Sequence, residues 1–297
     1  MRIDCHFHPN FRFWLKNHAK QKSAQIFKKF TENKIDAVIV TEHAFKRPFQ
    51  SFKKLKSFQP QSSKTLLIPG VEAVTKEGID VIVFSASEYV YTQKEIMKTW
   101  CLSLKQLLKK IKQDPKLHAI LPHPFLPTQQ GAYKNLGKAE FQKILKEFKL
   151  FEAHNDCFSA LQNALSKTKL EKIMPELTQT IKKVLNSKTK LPKSIKITGG
   201  SDAHHIGNIG SYLKLNALKP NDNLQAIKSL YTSTKRKMVF QKSNYNLAKD
   251  LSLNGMTAVC EFVQLYILRQ KLDFKQSYHE HANSLHQGRR KFGKVNT

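Results

Sequence analysis

Arg2-Ile3-Asp4-Cys5-His6-Phe7-His8-Pro9 opens the chain and sets its reading. Residues 2–6 have the make-up of a short buried strand, and they run out into the pattern His-x-His. Side chains of a strand alternate with a period of two, so the imidazoles of His6 and His8 point to the same side and form a two-toothed claw for a metal ion. The same design, a buried strand ending on an imidazole or a carboxylate, recurs along the chain. Strand-like runs lie at residues 37–42, 66–74, 79–84, 119–122, 150–154 and 195–198. His43 follows the first of these, and Glu72 sits near the end of the second, after Pro69-Gly70. His123 lies in Pro122-His123-Pro124, where the flanking prolines favour extended backbone. His154 closes the strand at 150–154. Asp202 and His204 repeat the i, i+2 spacing after the last one.

Helical periodicity fills the intervals at residues 24–32, 94–114, 139–148 and 167–186. Strand alternating with helix is the signature of a parallel sheet, closed or open. In a closed parallel barrel the C-terminal strand ends converge on one face, where the catalytic groups of such barrels lie. His6, His8, His43, Glu72, His123, His154, Asp202 and His204 would then share one cavity although they are far apart in sequence. Imidazoles mixed with carboxylates suit Zn, Mn or Fe, with donors enough for two ions or three. Buried together without a cation, such groups would carry a heavy desolvation cost.

The series Asp4-Cys5-His6-Phe7-His8-Pro9, Val40-Thr41-Glu42-His43, Pro69-Gly70-Val71-Glu72, Pro122-His123-Pro124, Phe151-Glu152-Ala153-His154-Asn155 and Gly200-Ser201-Asp202-Ala203-His204 resembles the PHP (polymerase and histidinol phosphatase) superfamily. The likeness spans residues 1–210, and six motifs in order make it specific. It implies an α/β fold, a distorted (β/α)7 TIM-like barrel, with a multinuclear metal centre that hydrolyses phosphoesters. Carried onto this chain, it implies that His6, His8, Glu72 and Asp202 hold one ion, that Glu72 bridges to a second held partly by His123, and that His43 and His204 hold a third. Two positions depart from the family pattern. The loop Pro9-Asn10-Phe11-Arg12-Phe13-Trp14 lacks the carboxylate that many members place there. The usual His at the exit of the fourth strand is replaced by Ser85-Ala86-Ser87-Glu88, leaving Glu88 or His154 as substitutes.

The division expected is a barrel over residues 1–242 and a helical, basic C-terminal extension over residues 243–297, whose apolar positions near helical spacing pack on the main body. The length of 297 residues, with 40% hydrophobic and 25% charged residues, excludes a disordered or collagenous chain. No basic start followed by an apolar stretch marks a secretory signal, and no run of 18 apolar residues marks a membrane span. A cytoplasmic protein without a membrane partner is expected. The cysteines Cys5, Cys101, Cys157 and Cys260 form no Cys-x-x-Cys pair, so reduced thiols fit best.

The formal charge of +29 is the outlier, carried by 44 lysines and only seven arginines. Specific phosphate recognition favours Arg forks, so diffuse lysine reads first as a solvated surface and second as a polyanion-binding one. The expected activity is metal-dependent hydrolysis of a small phosphorylated metabolite or nucleotide. Arg12, Lys46 and Arg47, in the loops after the first two strands, are candidates to grip the phosphate. His154 or His204 is the candidate to protonate the leaving oxygen. A nuclease or oligonucleotide phosphatase, using the lysine-rich surface, is the rival activity. A weakly catalytic, metal-binding regulatory module is the rival of another class. Neither a Gly-x-Ser-x-Gly elbow nor a phosphate-binding P-loop is present.

Overall fold

A computed structural model describes residues 1–13, 17–126, 131–155 and 194–240. The helix expected at 167–186 and the extension expected at 243–297 lie outside the described residues, as do Cys157 and Cys260. Nine strands form one sheet: β1 (Arg2–Phe7), β2 (Ala37–Val40), β3 (Leu66–Val74), β4 (Asp80–Phe84), β5 (His118–Leu121), β6 (Leu150–Asn155), β7 (Lys196–Gly200), β8 (Tyr212–Leu215) and β9 (Arg236–Val239). The described helices are α1 (His18–Glu32), α2 (Pro48–Ser57), α3 (Leu104–Gln113), α4 (Ala132–Leu145) and α5 (Asn223–Thr232).

The strand order is β7-β6-β5-β4-β3-β2-β1-β8-β9. The sheet curls until β7 meets β1 again. Antiparallel β8 occupies the β1 edge at Arg2 and Ile3, so β7 reaches it only at the far end, where Phe7 bridges to Ala203 and the Asp202 amide donates to the His6 carbonyl at 2.7 Å. The result is a nearly closed barrel. Gly200 permits the contact, since a Cβ there would lie 2.5 Å from the His6 amide nitrogen and Cβ.

The all-parallel arrangement needs correction. β4 runs antiparallel to both β3 and β5, whereas the pairs β1–β2, β2–β3, β5–β6 and β6–β7 are parallel. A tight turn through Gly78, at φ +85°, joins β3 to β4, with the Gly78 amide donating to the Thr75 carbonyl. So short a link holds a hairpin, because a parallel crossover needs a dozen residues or more.

Other boundaries also move. α3 begins ten residues later than the periodicity indicated, because Ser103 caps it: its hydroxyl accepts from the Gln106 amide while the Gln106 side chain accepts from the Ser103 amide. α1 and α4 begin six and seven residues earlier than expected, and α4 breaks at Gly137. α2 was not anticipated; Pro48 sits in its first turn and Phe52 and Leu55 bury its inner face.

Alternate strand residues divide the core. Val38, Val40, Val81, Val83 and Leu121 pack in the layer that contains Phe27 and Phe30 of α1, Phe52 of α2 and Phe141 of α4. Ile3, Ile39, Ile68, Ile82, Phe84 and Ile120 belong to a second cluster, closed by Ile227 and Leu230 of α5. No described helix is long and apolar enough to cross a membrane.

Candidate metal centre

Two register shifts aim the site. In β1, Ile3 pairs with Ala37 and Asp4 with Val38, but after an irregularity Phe7, not His6, pairs with Val40. That one-residue slip reverses the side-chain parity, so Phe7 turns to the helix-packed layer while His6 and His8 follow Ile3 to the inside. A second shift in β6 falls between Glu152 and His154. Strain lies just past two other strands, β5 and β7. His123 has φ +23° and Asp202 φ +47°, in the left-handed region that side chains other than glycine seldom adopt. The prolines beside His123 therefore do not hold it extended; its backbone turns, and its amide donates to Glu152 Oε2 at 2.8 Å.

The structure brings His6, His8, His43, Glu72, His123, Asp202 and His204 together. Their donor atoms fall into three groups: His6, His8 and Asp202; His6, Glu72 and His123; and His8, His43 and His204. His6 Nε2 lies 3.0 Å from His8 Nε2, and Asp202 Oδ1 is 3.4 Å from the first and 3.2 Å from the second. Nitrogen and oxygen ligands at 2.0–2.2 Å from a shared ion stand roughly 3.0–3.4 Å from one another, so this triangle has the edges of a coordination shell. Glu72 Oε1 lies 2.9 Å from His123 Nε2 and 3.5 Å from His6 Nε2. Glu72 Oε2 lies 2.8 Å from His43 Nδ1, and His43 Nε2 is 3.3 Å from His204 Nε2.

Outer partners orient these rings. His6 Nδ1 faces Glu152 Oε1 at 3.1 Å, which places the ring proton on Nδ1 and turns the Nε2 lone pair inward. His204 Nδ1 donates to the Asp202 carbonyl at 3.0 Å, again leaving Nε2 for the site. His8 Nδ1 stands 3.6 Å from Glu42 Oε1, and the Asn10 amide donates to Glu42 Oε2. Asp4, under the sheet junction, accepts from the amides of His6 and Ser201 and from the Ser201 hydroxyl.

The field of the site calls for a cation. Burial opposes charge on His6, yet Asp202, Glu152 and Glu72 outweigh it and raise that imidazole well above its ordinary value. His123 is pushed up to about 9: burial works downward, and Glu72, Asp80 and Asp202 work upward more strongly. Burial would lift Glu42, Glu72 and Asp202, but the surrounding imidazoles, with Lys46 at Glu42, hold all three low, Glu42 at about 2. In these surroundings protons occupy positions a divalent ion would fill. Asp80 supplies a second sign: burial and the charge of Glu72 push it up to about 8, and its buried Oδ1 makes no hydrogen bond among the described residues. A buried carboxylate oxygen without a partner is costly. The donor set and its field thus fit divalent metal.

Asp80 and Glu152 are the members that the sequence reading passed over. Because β4 is reversed, it offers its first residue to the site, and Asp80 stands 3.9 Å from His123 Nε2. The strand exit at Ser85-Ala86-Ser87-Glu88 is at the opposite end, where Glu88 faces Lys56 at 3.6 Å, so Glu88 does not substitute for the missing His. The signal for both omissions was an acidic residue inside an apolar run, Ile79-Asp80-Val81 and Phe151-Glu152-Ala153. Glu42 is buried beside His8, facing its outer nitrogen. The backbone of His154 lies in β6, one residue before its end, and its side chain lies outside the described residues.

The three cations expected to hold phosphate differ in setting. Arg12 is exposed at the rim, whereas Lys46 lies 5.7 Å over the Phe45 ring and Arg47 5.9 Å over the Phe13 ring. Phe45 in turn stacks on His43 with centroids 4.9 Å apart. Near Arg12 a cleft of about 300 Å³ opens between the first turns of α1 and the loop carrying His204.

No family model matches the chain. No curated protein matches it either. Among solved structures, PsfC from Pseudomonas syringae PB-5123 is similar at 14% identity and a TM-score of 0.58, over 86% of this chain and 98% of that one. Endonuclease Q, solved with a 27-mer duplex carrying an abasic lesion at the active site, is similar at 12% identity and a TM-score of 0.48; the match takes in 78% of this chain and 57% of that one. A Bifidobacterium adolescentis protein assigned as a metal-dependent phosphoesterase matches at 11% identity and a TM-score of 0.33, over 77% of this chain and 95% of that one. The likeness to PsfC shows a common fold.

Proposed function

We propose that this protein is a metal-dependent phosphoesterase of the PHP type, acting on a small phosphorylated metabolite or nucleotide. The observation that carries the reading is the set of three donor groups that share His6 and His8, with imidazole and carboxylate atoms 2.8–3.5 Å apart. Zn, Mn or Fe in two or three positions suits these donors. Divalent ions bound there supply positive charge to phosphoryl oxygens and acidify water at neutral pH.

The chain's own residues do the rest. Glu152 and the Asp202 carbonyl fix the tautomers of His6 and His204, so that ligand lone pairs face inward without rearrangement. Arg12, Lys46 and Arg47 form the basic rim that orients the phosphate. His204 Nε2, turned toward His43, serves as a ligand, so proton delivery to the leaving oxygen falls to His154 in this reading. The charge of +29 favours one second reading, hydrolysis of short nucleic acid.

Hydrolysis of a panel of phosphoesters by Mn- or Zn-loaded protein tests both. A metabolite enzyme should keep its rate as salt rises, whereas an oligonucleotide enzyme should lose it steeply. His6→Ala and Asp202→Ala should abolish turnover while folding is retained. Metal-loaded protein that leaves every phosphoester intact would support a regulatory module instead.

A further inference from the structure

The cleft beside the metal centre has a chemistry that the phosphate-gripping residues named so far do not account for. One wall is the face of α1 that carries His18, Gln21, Lys22 and Gln25, spaced i, i+3, i+4 and i+7, and the other holds Arg12 and His204. Among the described residues no carboxylate lines it. Lys22 and Arg12 are the cations that line it. The Lys22 ammonium donates to the Asn10 carbonyl at 3.1 Å and the His204 carbonyl at 3.3 Å, which uses two of its three protons. No acidic side chain pairs with it among the described residues. Glu42 attracts it from beyond ion-pair distance, and Lys46 and Arg12 oppose that attraction. An ammonium with two protons spent on carbonyls has one left, and an anionic oxygen would satisfy it with a charge-assisted hydrogen bond.

The volume of about 300 Å³ lies at the small end of ligand pockets. The lining of imidazole, carboxamide, ammonium and guanidinium groups donates hydrogen bonds to oxyanions. His204 belongs to both the cleft and the third donor group. A substrate whose scissile phosphate sits among the metal donors would therefore extend its leaving group past His204 into this cleft. We infer that the cleft is the leaving-group subsite, that the substrate is a small phosphoester carrying a second anionic group, carboxylate or phosphate, and that Lys22 is the residue that binds that group. This rests on the phosphoesterase reading above and narrows its substrate class.

Calorimetric titration of the Mn-loaded full chain with two non-hydrolysable probes tests it: 3-phosphonopropionate, and propylphosphonate, which lacks the carboxylate. Wild-type protein should prefer the first by about tenfold, the size expected of one charge-assisted hydrogen bond. Lys22→Gln should erase the preference and Lys22→Arg should keep most of it, with Mn content equal in all three. Equal affinity for the probes in wild type, or a preference that survives Lys22→Gln, overturns the subsite while leaving the metal centre intact. Protein that holds no Mn and binds neither probe refutes the phosphoesterase reading itself, and the subsite with it. A lysine serving only to tie the two carbonyls would change both affinities alike, which also overturns the proposal. In the same series, replacing 3-phosphonopropionate by a bisphosphonate of equal length distinguishes a carboxylate-bearing leaving group from a phosphorylated one.

Discussion

The two ends of the barrel are made of the same strands and obey opposite rules. At one end Ile39, Ile68, Ile82, Phe84 and Ile120 meet under Ile227 and Leu230 of α5 in an apolar cluster that holds no charged side chain among the described residues. At the other end the strands run out into His6, His8, Glu72, His123, Glu152 and Asp202, with His123 and Asp202 at positive φ. The apolar end lowers the free energy of folding by burial, and the polar end raises it by confining charge and strain. The contrast teaches that the register shifts of β1 and β6 are the boundary between the two: below them packing decides each residue, above them ligand geometry does.

That contrast can be broken most forcefully from the apolar end. Phe84→Ala empties a fully buried position and should cost about 3–5 kcal/mol in chemical denaturation. The metal stoichiometry of the protein that remains folded should not change. Glu152→Gln, at the opposite end, should weaken metal binding by roughly 10–100-fold in a competitive chelator titration, because it releases the tautomer and orientation of His6. It should leave the stability of the metal-free protein much less altered than Phe84→Ala does. Reversal of those two outcomes would erase the division drawn between the ends.

The smallest effect is a pH dependence of metal-free protein. Asp4 is pushed up to about 7, chiefly by burial against the hydrogen bonds of Ser201 and His6, and Asp80 up to about 8. His123 is raised to about 9, and His6 is raised too. A group whose folded value is raised holds more protons folded than unfolded, so its contribution falls as pH climbs toward that value. Glu42, Glu72 and Asp202 act in the opposite sense, but their contribution is complete above about pH 5. Between about pH 6.5 and 8 the raised groups dominate, and Tm by scanning calorimetry should fall by a few degrees; Lys22, lowered to about 8 chiefly by burial, holds fewer protons folded than unfolded and opposes the fall above that value. Added Mn should flatten that slope, since the ion replaces the protons. A Tm rising across the window would contradict the charge distribution derived for the site.

Much of this architecture was legible in the sequence. Buried strands are apolar and short, so their positions stand out, and His6, His43, Glu72, His123 and Asp202 are conspicuous as polar residues on or just after such runs. The reversal of β4 was also written there, in a link of four residues at 75–78 that no crossover helix could fit, although strand–helix alternation elsewhere pointed to parallel strands. α2 carries Phe49, Phe52 and Leu55 at helical intervals, with a lysine run that resembles loop composition. The register shift in β1 has no such trace. A one-residue slip leaves composition and periodicity untouched and shows only in which partner each residue meets. Glu152 was hidden for a related reason: His154, two residues on, has the more familiar ligand chemistry, and only the fold places the carboxylate against His6.

The central claim is that imidazoles and carboxylates from separate strands hold divalent ions in common. Metal analysis of protein loaded with Mn and freed of excess by gel filtration tests it most directly, with His6→Ala measured alongside. Two or three ions per chain are expected in the wild type, and a loss of most of them in His6→Ala, because His6 belongs to two of the three donor groups. Wild-type protein that retains no Mn, or a variant that loads as fully as the wild type, would contradict it.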